Sequence, residues 1–202
     1  MKSRLPLLLC ALVASALLHA DVIPAAIFTD HMVLQRDEPV AIWGRADPGE
    51  SVNVSYRGAV GSARANSAGR WLVRLGPLQP GEPGELIIAG HNTVRLRDVV
   101  VGEVWLCGGQ SNMQWEVRSS LNATEEIAVA NHPAIRHFRV KLMVADDPQG
   151  DIQSGSWEIC SPETVGDFSG VAYFFARELQ PKVGVPIGLI NSTWGGTDIE
   201  TW

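Results

Sequence analysis

The fold is deduced from residues 102–113, which read Gly102-Glu103-Val104-Trp105-Leu106-Cys107-Gly108-Gly109-Gln110-Ser111-Asn112-Met113. An apolar, strand-like run ends in two glycines, and Ser111 follows the turn. Such a turn presents the next side chain where a strand ends and a helix begins, beside backbone N–H groups without helical acceptors. Ser111 is therefore the residue to explain, either as a nucleophile or as the N-cap of the helix that follows.

Composition limits the class of protein. The chain has 202 residues, of which 46% are hydrophobic and 19% charged, enough to bury a core in one or two domains. The formal net charge is −6, and no acidic or basic block interrupts the sequence. An acidic chain without a basic patch is a poor partner for a phosphate backbone, so nucleic-acid binding is disfavoured.

Residues 1–20 are typical of a cleavable signal peptide. Lys2 and Arg4 precede an apolar run over residues 5–18, and the segment ends in Ala20. The run is shorter than the roughly 20 apolar residues that span a bilayer, and no later segment approaches that length. We therefore expect no integral membrane part after cleavage. The chain is expected to be secreted or periplasmic, or lysosomal or extracellular in a eukaryote.

Two cysteines remain beyond the signal peptide, Cys107 and Cys160. Export permits a disulfide between them, while the apolar run around Cys107 favours a small buried hydrophobic residue. No Cys/His cluster has the spacing of metal ligands. The sequence therefore predicts neither a metal nor another cofactor.

The pattern of the chain changes near residue 98. Residues 21–98 contain short β-type runs separated by Pro/Gly turns, which predicts a small β-sandwich. Strands and helices alternate from residue 99 onward, which predicts an α/β domain over 99–202. Its expected elements are a strand over 99–107, a helix over 124–130, a strand over 135–140, a helix over 170–182 and a strand over 187–190.

A second glycine turn, Gly195-Gly196, follows the last predicted strand. Ligands bind at the carboxyl ends of strands in parallel α/β sheets, so both turns should open on the same edge. Ester hydrolysis by serine needs a nucleophile and backbone N–H groups aimed at the developing oxyanion. Ser111 supplies the first and Gly195-Gly196 the second, unless the latter is an ordinary tight turn.

These motifs resemble a known family. Residues 103–113, 168–175, 186–190 and 194–202 resemble the sialate O-acetylesterase family of SGNH-type hydrolases. The β-rich stretch before residue 100 is similar to the β-sandwich that precedes the catalytic domain in that family. The resemblance implies part of a flavodoxin-like, three-layer α/β domain. It also implies a carboxylic ester hydrolase that removes O-acetyl groups from sugars, sialic acid among them, through an acetyl-serine intermediate.

The resemblance also assigns roles by position. Ser111 is the nucleophile, and the oxyanion donors are the Ser111 amide and a glycine of the second turn, with Gly196 preferred over Gly195. A Gly-x-Ser-x-Gly elbow is absent, which disfavours an α/β-hydrolase. Gln110 and Asn112 are expected mainly to hold the turn. The predicted substrate-binding set is Gln110, Asn112, Trp115 and Trp194.

The family takes its base from an Asp-x-x-His motif, and this sequence contains none. We interpret the remaining histidines as surface or loop residues: His31, His91, His132 and His137. Two functions therefore stay open. The chain is a carbohydrate O-acetylesterase shortened before its base, or a non-catalytic carbohydrate-binding or vestigial fragment. The tryptophans that could stack on sugars, most of them expected in the core, are Trp43, Trp71, Trp115, Trp157 and Trp194.

Overall fold

A computed structural model describes residues 20–153 and 155–198. The predicted signal peptide lies outside the described residues, apart from Ala20. The strands are β1 (Ile23–Pro24), β2 (Val33–Gln35), β3 (Pro39–Arg45), β4 (Ser51–Tyr56), β5 (Ala59–Arg64), β6 (Arg70–Pro77), β7 (Gly84–Ala89), β8 (Thr93–Gly109), β9 (His132–Arg139), β10 (Trp157–Cys160) and β11 (Ile187–Thr193). The α-helices are α1 (Ser111–Gln114), α2 (Ala123–Val129) and α3 (Gly170–Val183). Among the described residues, no helix is long and apolar enough to cross a membrane.

Strand β8 connects the two parts of the molecule. The sequence predicts a strand over 99–107 here, and the structure extends it to one strand of 17 residues that begins at Thr93, with Asp98 in the left-handed region at φ 52°. The first part of β8 pairs with β7 antiparallel and with β2 in parallel, and the second part pairs in parallel with β11. The strand that delivers Ser111 is therefore anchored along most of its length.

The N-terminal part contains two sheets that share a core. One sheet has the order β1-β3-β6, and β5, β4 and β7 extend the large sheet beside β8. Alternation is clear in β6, where Trp71, Val73 and Leu75 are buried while Leu72 is exposed. These inward residues belong to the same apolar cluster as Val54 of β4. The sequence missed β5, because its small residues give no apolar alternation.

The C-terminal part confirms the predicted α/β class. Strands β9, β11 and β8 are parallel neighbours, and β10, which the sequence missed, adds an antiparallel edge. Helix α3 covers one face of this sheet, where Tyr173 joins the cluster of Ile187 and Leu189. On the opposite face, Phe138 of β9 belongs to the core of the N-terminal part. Strands β9 and β11 are therefore buried on both faces, as their apolar residues require, while Leu106 of β8 is 73% exposed.

The cysteines are free thiols. Cys107 and Cys160 are both buried and unpaired, so the disulfide considered from the sequence does not form in this structure. Burial raises the pKa of the Cys107 thiol to about 11 and that of Cys160 to about 12. Both therefore act as small apolar residues and are not poised as thiolates.

The approach of β8 to the residue before β11 yields a test of the packing. A β-carbon on Gly102 would lie 1.9 Å from the carbonyl oxygen of Pro186, a backbone atom that cannot move aside easily. We expect Gly102→Ala to lower the free energy of unfolding by about 2 kcal/mol or more, measured by urea denaturation. Gly76→Ala is the matched control, because a β-carbon on Gly76 meets nothing within 4 Å. Equal stability of the two variants would contradict the described approach.

Candidate active site

Ser111 lies at the point where β8 ends and α1 begins. Gly109 closes the strand at φ 140°, and Gln110 takes the N-cap position of α1. Ser111 is thus the first residue of the helix, and the N-cap interpretation of this serine is wrong. Its side chain is exposed, and its Oγ donates to Gln110 Oε1 at 3.3 Å.

The second glycine turn lies against Ser111. In the parallel register, Thr193 of β11 pairs with Gly109 of β8, and the Trp194 N–H donates to the Gly109 carbonyl at 3.0 Å. A β-carbon on Gly195 would lie 3.4 Å from Ser111 Oγ. The two turns therefore meet at one edge of the sheet, as two strands ending side by side require.

The backbone N–H groups at this edge differ in whether they already have a hydrogen-bond acceptor. The Gly195 N–H already donates to Gln114 Oε1 at 2.6 Å. Within the described residues, the N–H groups of Ser111 and Gly196 have no acceptor. Gly196 has φ 80°, a conformation that favours glycine. Two of the three predicted oxyanion donors are therefore open to an incoming anion, and Gly195 holds the turn instead.

Gln114 is a site residue that the sequence analysis missed. Its side chain joins the last residue of α1 to the Gly195 amide and so ties the two turns together. The available signal was its spacing, because a residue three positions after Ser111 lies on the same side of a helical turn. The spacing alone does not predict a role for Gln114, because its partner, the Gly195-Gly196 turn, is distant in the sequence and adjacent only in the fold.

An open cavity adjoins the serine. It has a volume of about 430 Å³ and is lined by Gln110, Ser111, Asn112, Met113 and Val171. Gln110 and Asn112 thus line the cavity beside Ser111. Trp115 is exposed and donates its Nε1–H to the Ser119 carbonyl, and Trp194 is half-buried; neither lines this cavity.

The segment after Ser111 is fixed to the start of α3. Ser169, the N-cap of α3, donates its Oγ–H to the Met113 carbonyl at 2.5 Å, and the Gly170 N–H donates to the Trp115 carbonyl at 2.7 Å. Glu116 follows, and its carboxylate pairs with Arg118 and Arg139 at 3.0 Å each. The turn that carries Ser111 is therefore supported by a helix packed on the sheet, which is the kind of rigid base that a precise site needs.

His132 and His137 lie on β9, away from Ser111. His132 is at the amino end of β9, opposite the edge that carries the glycine turns. His137 aligns through Leu189 with Trp105, roughly 13 Å of strand before Gly109. The surface or loop interpretation is wrong for His137, which is 2% exposed and stacks on Phe168 with ring centroids 4.3 Å apart.

A His/Asp pair is present, but it lies far along β8 from the serine. His31 Nδ1 is 2.7 Å from Asp98 Oδ2, and Asp98 precedes Gly109 by roughly 35 Å of extended strand. His91 lies just before β8 begins, beside Asp47 and Glu50. Among the described residues, none of the four histidines stands at the carboxyl end of β8.

Comparison with known proteins agrees with the motifs of this site. A family model described as "carbohydrate esterase, sialic acid-specific acetylesterase" matches residues 101–202. Human sialate O-acetylesterase is 36% identical over 199 residues, which cover 88% of this chain and 38% of the human protein. The mouse sialate O-acetylesterase is 35% identical, and the match covers 88% of this chain and 37% of the mouse protein.

A solved structure is similar as well. The crystal structure of a carbohydrate acetylesterase from Xanthomonas citri superposes with a TM-score of 0.87 at 39% identity. The similarity covers 90% of this chain and 42% of that one. The chain thus spans about two fifths of the length of these relatives.

The Gln114 contact can be tested without any substrate. We expect Gln114→Ala to speed hydrogen exchange of the Gly195 amide by about tenfold or more, because its acceptor is lost and the turn loosens. Exchange is measured by NMR. Asn112→Ala is the control, since no hydrogen bond links Asn112 to Gly195. Unchanged exchange in Gln114→Ala would refute the contact.

The buried imidazole of His137 predicts a pH dependence of stability. Burial, with a smaller contribution from the charge of Arg139, lowers the pKa of His137 from 6.5 to about 3. Between pH 6.5 and about pH 3, His137 is protonated in the unfolded chain and neutral in the folded chain. The contribution of this group to the free energy of unfolding is therefore fully present above pH 6.5 and decreases as the pH falls below it. We expect a loss of about 2 kcal/mol from this group between pH 7 and pH 5. Urea denaturation of wild type and His137→Phe should show a shallower pH dependence in the variant; equal slopes would contradict the burial of a neutral imidazole.

Proposed function

Because the chain belongs to the family of sialic acid-specific acetylesterases among the carbohydrate esterases, we propose that it serves the hydrolysis of O-acetyl esters on sugars, with Ser111 as the nucleophile. The observation that carries this proposal is the meeting of Ser111 with the Gly195-Gly196 turn at one edge of the parallel sheet. The names of the relatives refer to sialate and carbohydrate acetyl esters. An O-acetylated sugar is therefore the proposed substrate class.

The proposed reaction begins at Ser111 Oγ. The oxygen attacks the acetyl carbonyl carbon, a new C–O bond forms, and the carbonyl electron pair moves onto the carbonyl oxygen. That oxyanion accepts hydrogen bonds from the N–H groups of Ser111 and Gly196, which have no acceptor among the described residues. One such donor contributes roughly 3 kcal/mol to transition-state stability in serine hydrolases.

Collapse of the oxyanion then breaks the bond to the sugar oxygen. The departing sugar oxygen takes up a proton, and Ser111 is left as its acetyl ester. Water attacks this ester in the second half, releases acetate and restores the Ser111 hydroxyl. Gln114 contributes by holding the Gly195 amide, and with it the orientation of the next peptide unit, in place.

The proton of Ser111 Oγ needs an acceptor, and the sequence has no Asp-x-x-His motif. Of the described histidines, His132 and His137 lie at the amino end and in the middle of β9, and His31 and His91 lie in turns near the start of β8, away from Ser111. We infer that the 202-residue chain by itself turns over acetyl esters slowly. Carbohydrate binding without turnover is the second candidate function, and the distance of the histidines from Ser111 favours it.

The first twenty residues belong to the same proposal. Lys2 and Arg4 before an apolar run support export through a secretory pathway. Sugars carrying O-acetyl groups on cell surfaces or in cell walls would then be accessible to the mature chain.

Chemical rescue tests the role of Ser111. With 4-nitrophenyl acetate alone, we expect wild type and Ser111→Ala to hydrolyse at similar low rates, because no described base reaches the hydroxyl. Added imidazole should supply the base and produce an increment in wild type that the variant lacks, with acetyl-Ser111 detected in a peptide by mass spectrometry. Ser119→Ala, which changes an exposed serine outside the cavity, should behave as wild type.

Two results would count against this proposal. An imidazole increment of equal size in wild type and Ser111→Ala would remove Ser111 as the nucleophile. Fast, Ser111-dependent turnover without imidazole would show that a base lies within this chain after all.

A further inference from the structure

The outer face of the β1-β3-β6 sheet carries a cluster that the folding of the chain does not explain. Strand β3 pairs with β6 so that Trp43 lies opposite Leu72 and Arg45 opposite Arg70. These side chains point away from the core, and 38% of Trp43 and 46% of Leu72 are exposed. We call these four residues the Trp43 face. Two partly exposed apolar side chains side by side form a small apolar patch, and a patch rimmed by charged residues is typical of a ligand-binding surface.

The two arginines add a second cost. Like charges directly opposite each other on antiparallel strands are destabilising. No carboxylate of the described chain lies within ion-pair distance of Arg45 or Arg70. The face therefore concentrates positive charge on a chain whose formal net charge is −6. An anion bound between the two guanidinium groups would relieve the repulsion.

Trp43 also separates two cavities. One, of about 260 Å³, is lined by the whole Trp43 face and Asn66. The other, of about 360 Å³, continues past Trp43 to Lys141. The indole thus lies between the two cavities and lines both of them. It packs against Phe28 in a T-shaped arrangement, with the ring centroids 4.6 Å apart.

One acidic residue, Asp151, lines both cavities. Its carboxylate accepts the Ala26 N–H at 3.0 Å and the Ile152 N–H at 2.8 Å. These donors hold the carboxylate in place, and its single negative charge is outnumbered by the positive charges of Arg45, Arg70 and Lys141 around the two cavities, which together we call the groove.

We propose that the Trp43 face binds a carboxylate-bearing glycan, with a sugar ring stacked on the Trp43 indole and its carboxylate held by Arg45 and Arg70. Sugar rings present C–H groups on one side, which pack on an aromatic ring, and hydroxyls at the rim. Guanidinium groups bind carboxylates through paired N–H donors. A nucleic acid would instead meet the repulsion of an acidic chain with only a small cationic patch to offset it.

The groove reaches the edge of the sheet that carries Ser111. Val140, which lines the larger cavity, directly follows β9 and donates its N–H to the Asn191 carbonyl of β11. Strand β11 lies between β9 and β8, so the axes of β9 and β8 are roughly 10 Å apart. Binding at the Trp43 face is independent of Ser111; that the bound glycan is also the esterase substrate rests on the proposed function.

Calorimetric titration of the intact chain tests the proposal. The probe is tri-galacturonic acid, and a neutral galactose trimer of the same linkage is the matched ligand. We expect the acidic trimer to bind at least about tenfold more tightly, a difference of about 1.4 kcal/mol, and added salt to weaken it. The double variant Arg45→Gln/Arg70→Gln should lose about tenfold in affinity for the acidic trimer, and Trp43→Leu should weaken both trimers.

A matched double variant controls for net charge. Arg95→Gln/Arg97→Gln removes two exposed arginines of β8 that line neither cavity, and it should bind as wild type. Equal binding of the two trimers, equal loss in both double variants, or a short oligothymidylate that binds as tightly as the acidic trimer would each overturn the proposal. Ser111→Ala should bind the acidic trimer unchanged, so failure of the esterase proposal is distinguishable from failure of this one.

Discussion

The parallel register of β8 and β11 is the constraint on which the site depends. Ile187 pairs with Glu103 and Thr193 with Gly109, so both strands end at the same level. Each strand then turns through glycine, and the turns meet because the strands are adjacent. A shift of one residue would turn every side chain of one strand to the other face. Cys107 of β8 or Leu189 of β11 would then leave the cluster under α3, depending on which strand shifts, and this is why the register is well defined.

A buried guanidinium joins the N-terminal part to this sheet. Arg136 of β9 is 95% buried in its side chain; it donates to the Asp98 carboxylate at 3.1 Å and to the His31 carbonyl at 2.8 Å. It also donates to the Asp98 carbonyl. Burying a charge without partners is costly, so this cluster makes one arrangement of the two parts much better than its alternatives. The N-terminal strands therefore form a fixed wall on one face of the esterase-like sheet, with α3 on the other.

Much of this architecture follows from local patterns, and its exceptions have physical reasons. The apolar runs at 99–107 and 187–190 and the amphipathic segment at 170–182 each predict an element, since burial decides their conformation. β10 is four residues long and exists through its pairing with β9. His137 lies in a strand that is buried on both faces, where alternation gives no clue to exposure. The role of Gln114 depends on a contact across 81 residues, which no local pattern encodes.

The open donors of the site are main-chain groups, and this shapes how the site responds to mutation. No single substitution at Ser111 or Gly196 deletes its amide, other than one to proline. At Gly195 a β-carbon would lie 2.7 Å from Gln114 Oε1, the end of a flexible side chain, and 3.4 Å from Ser111 Oγ. A side chain there would therefore displace the Gln114 amide oxygen from the Gly195 N–H. A mutational scan of side chains would therefore not remove the two open amides, and would detect this edge of the sheet mainly at Gly196, whose φ of 80° disfavours other residues. The orientation of these amides can instead be changed through their supports, chiefly Gln114 and the N-terminus of α3.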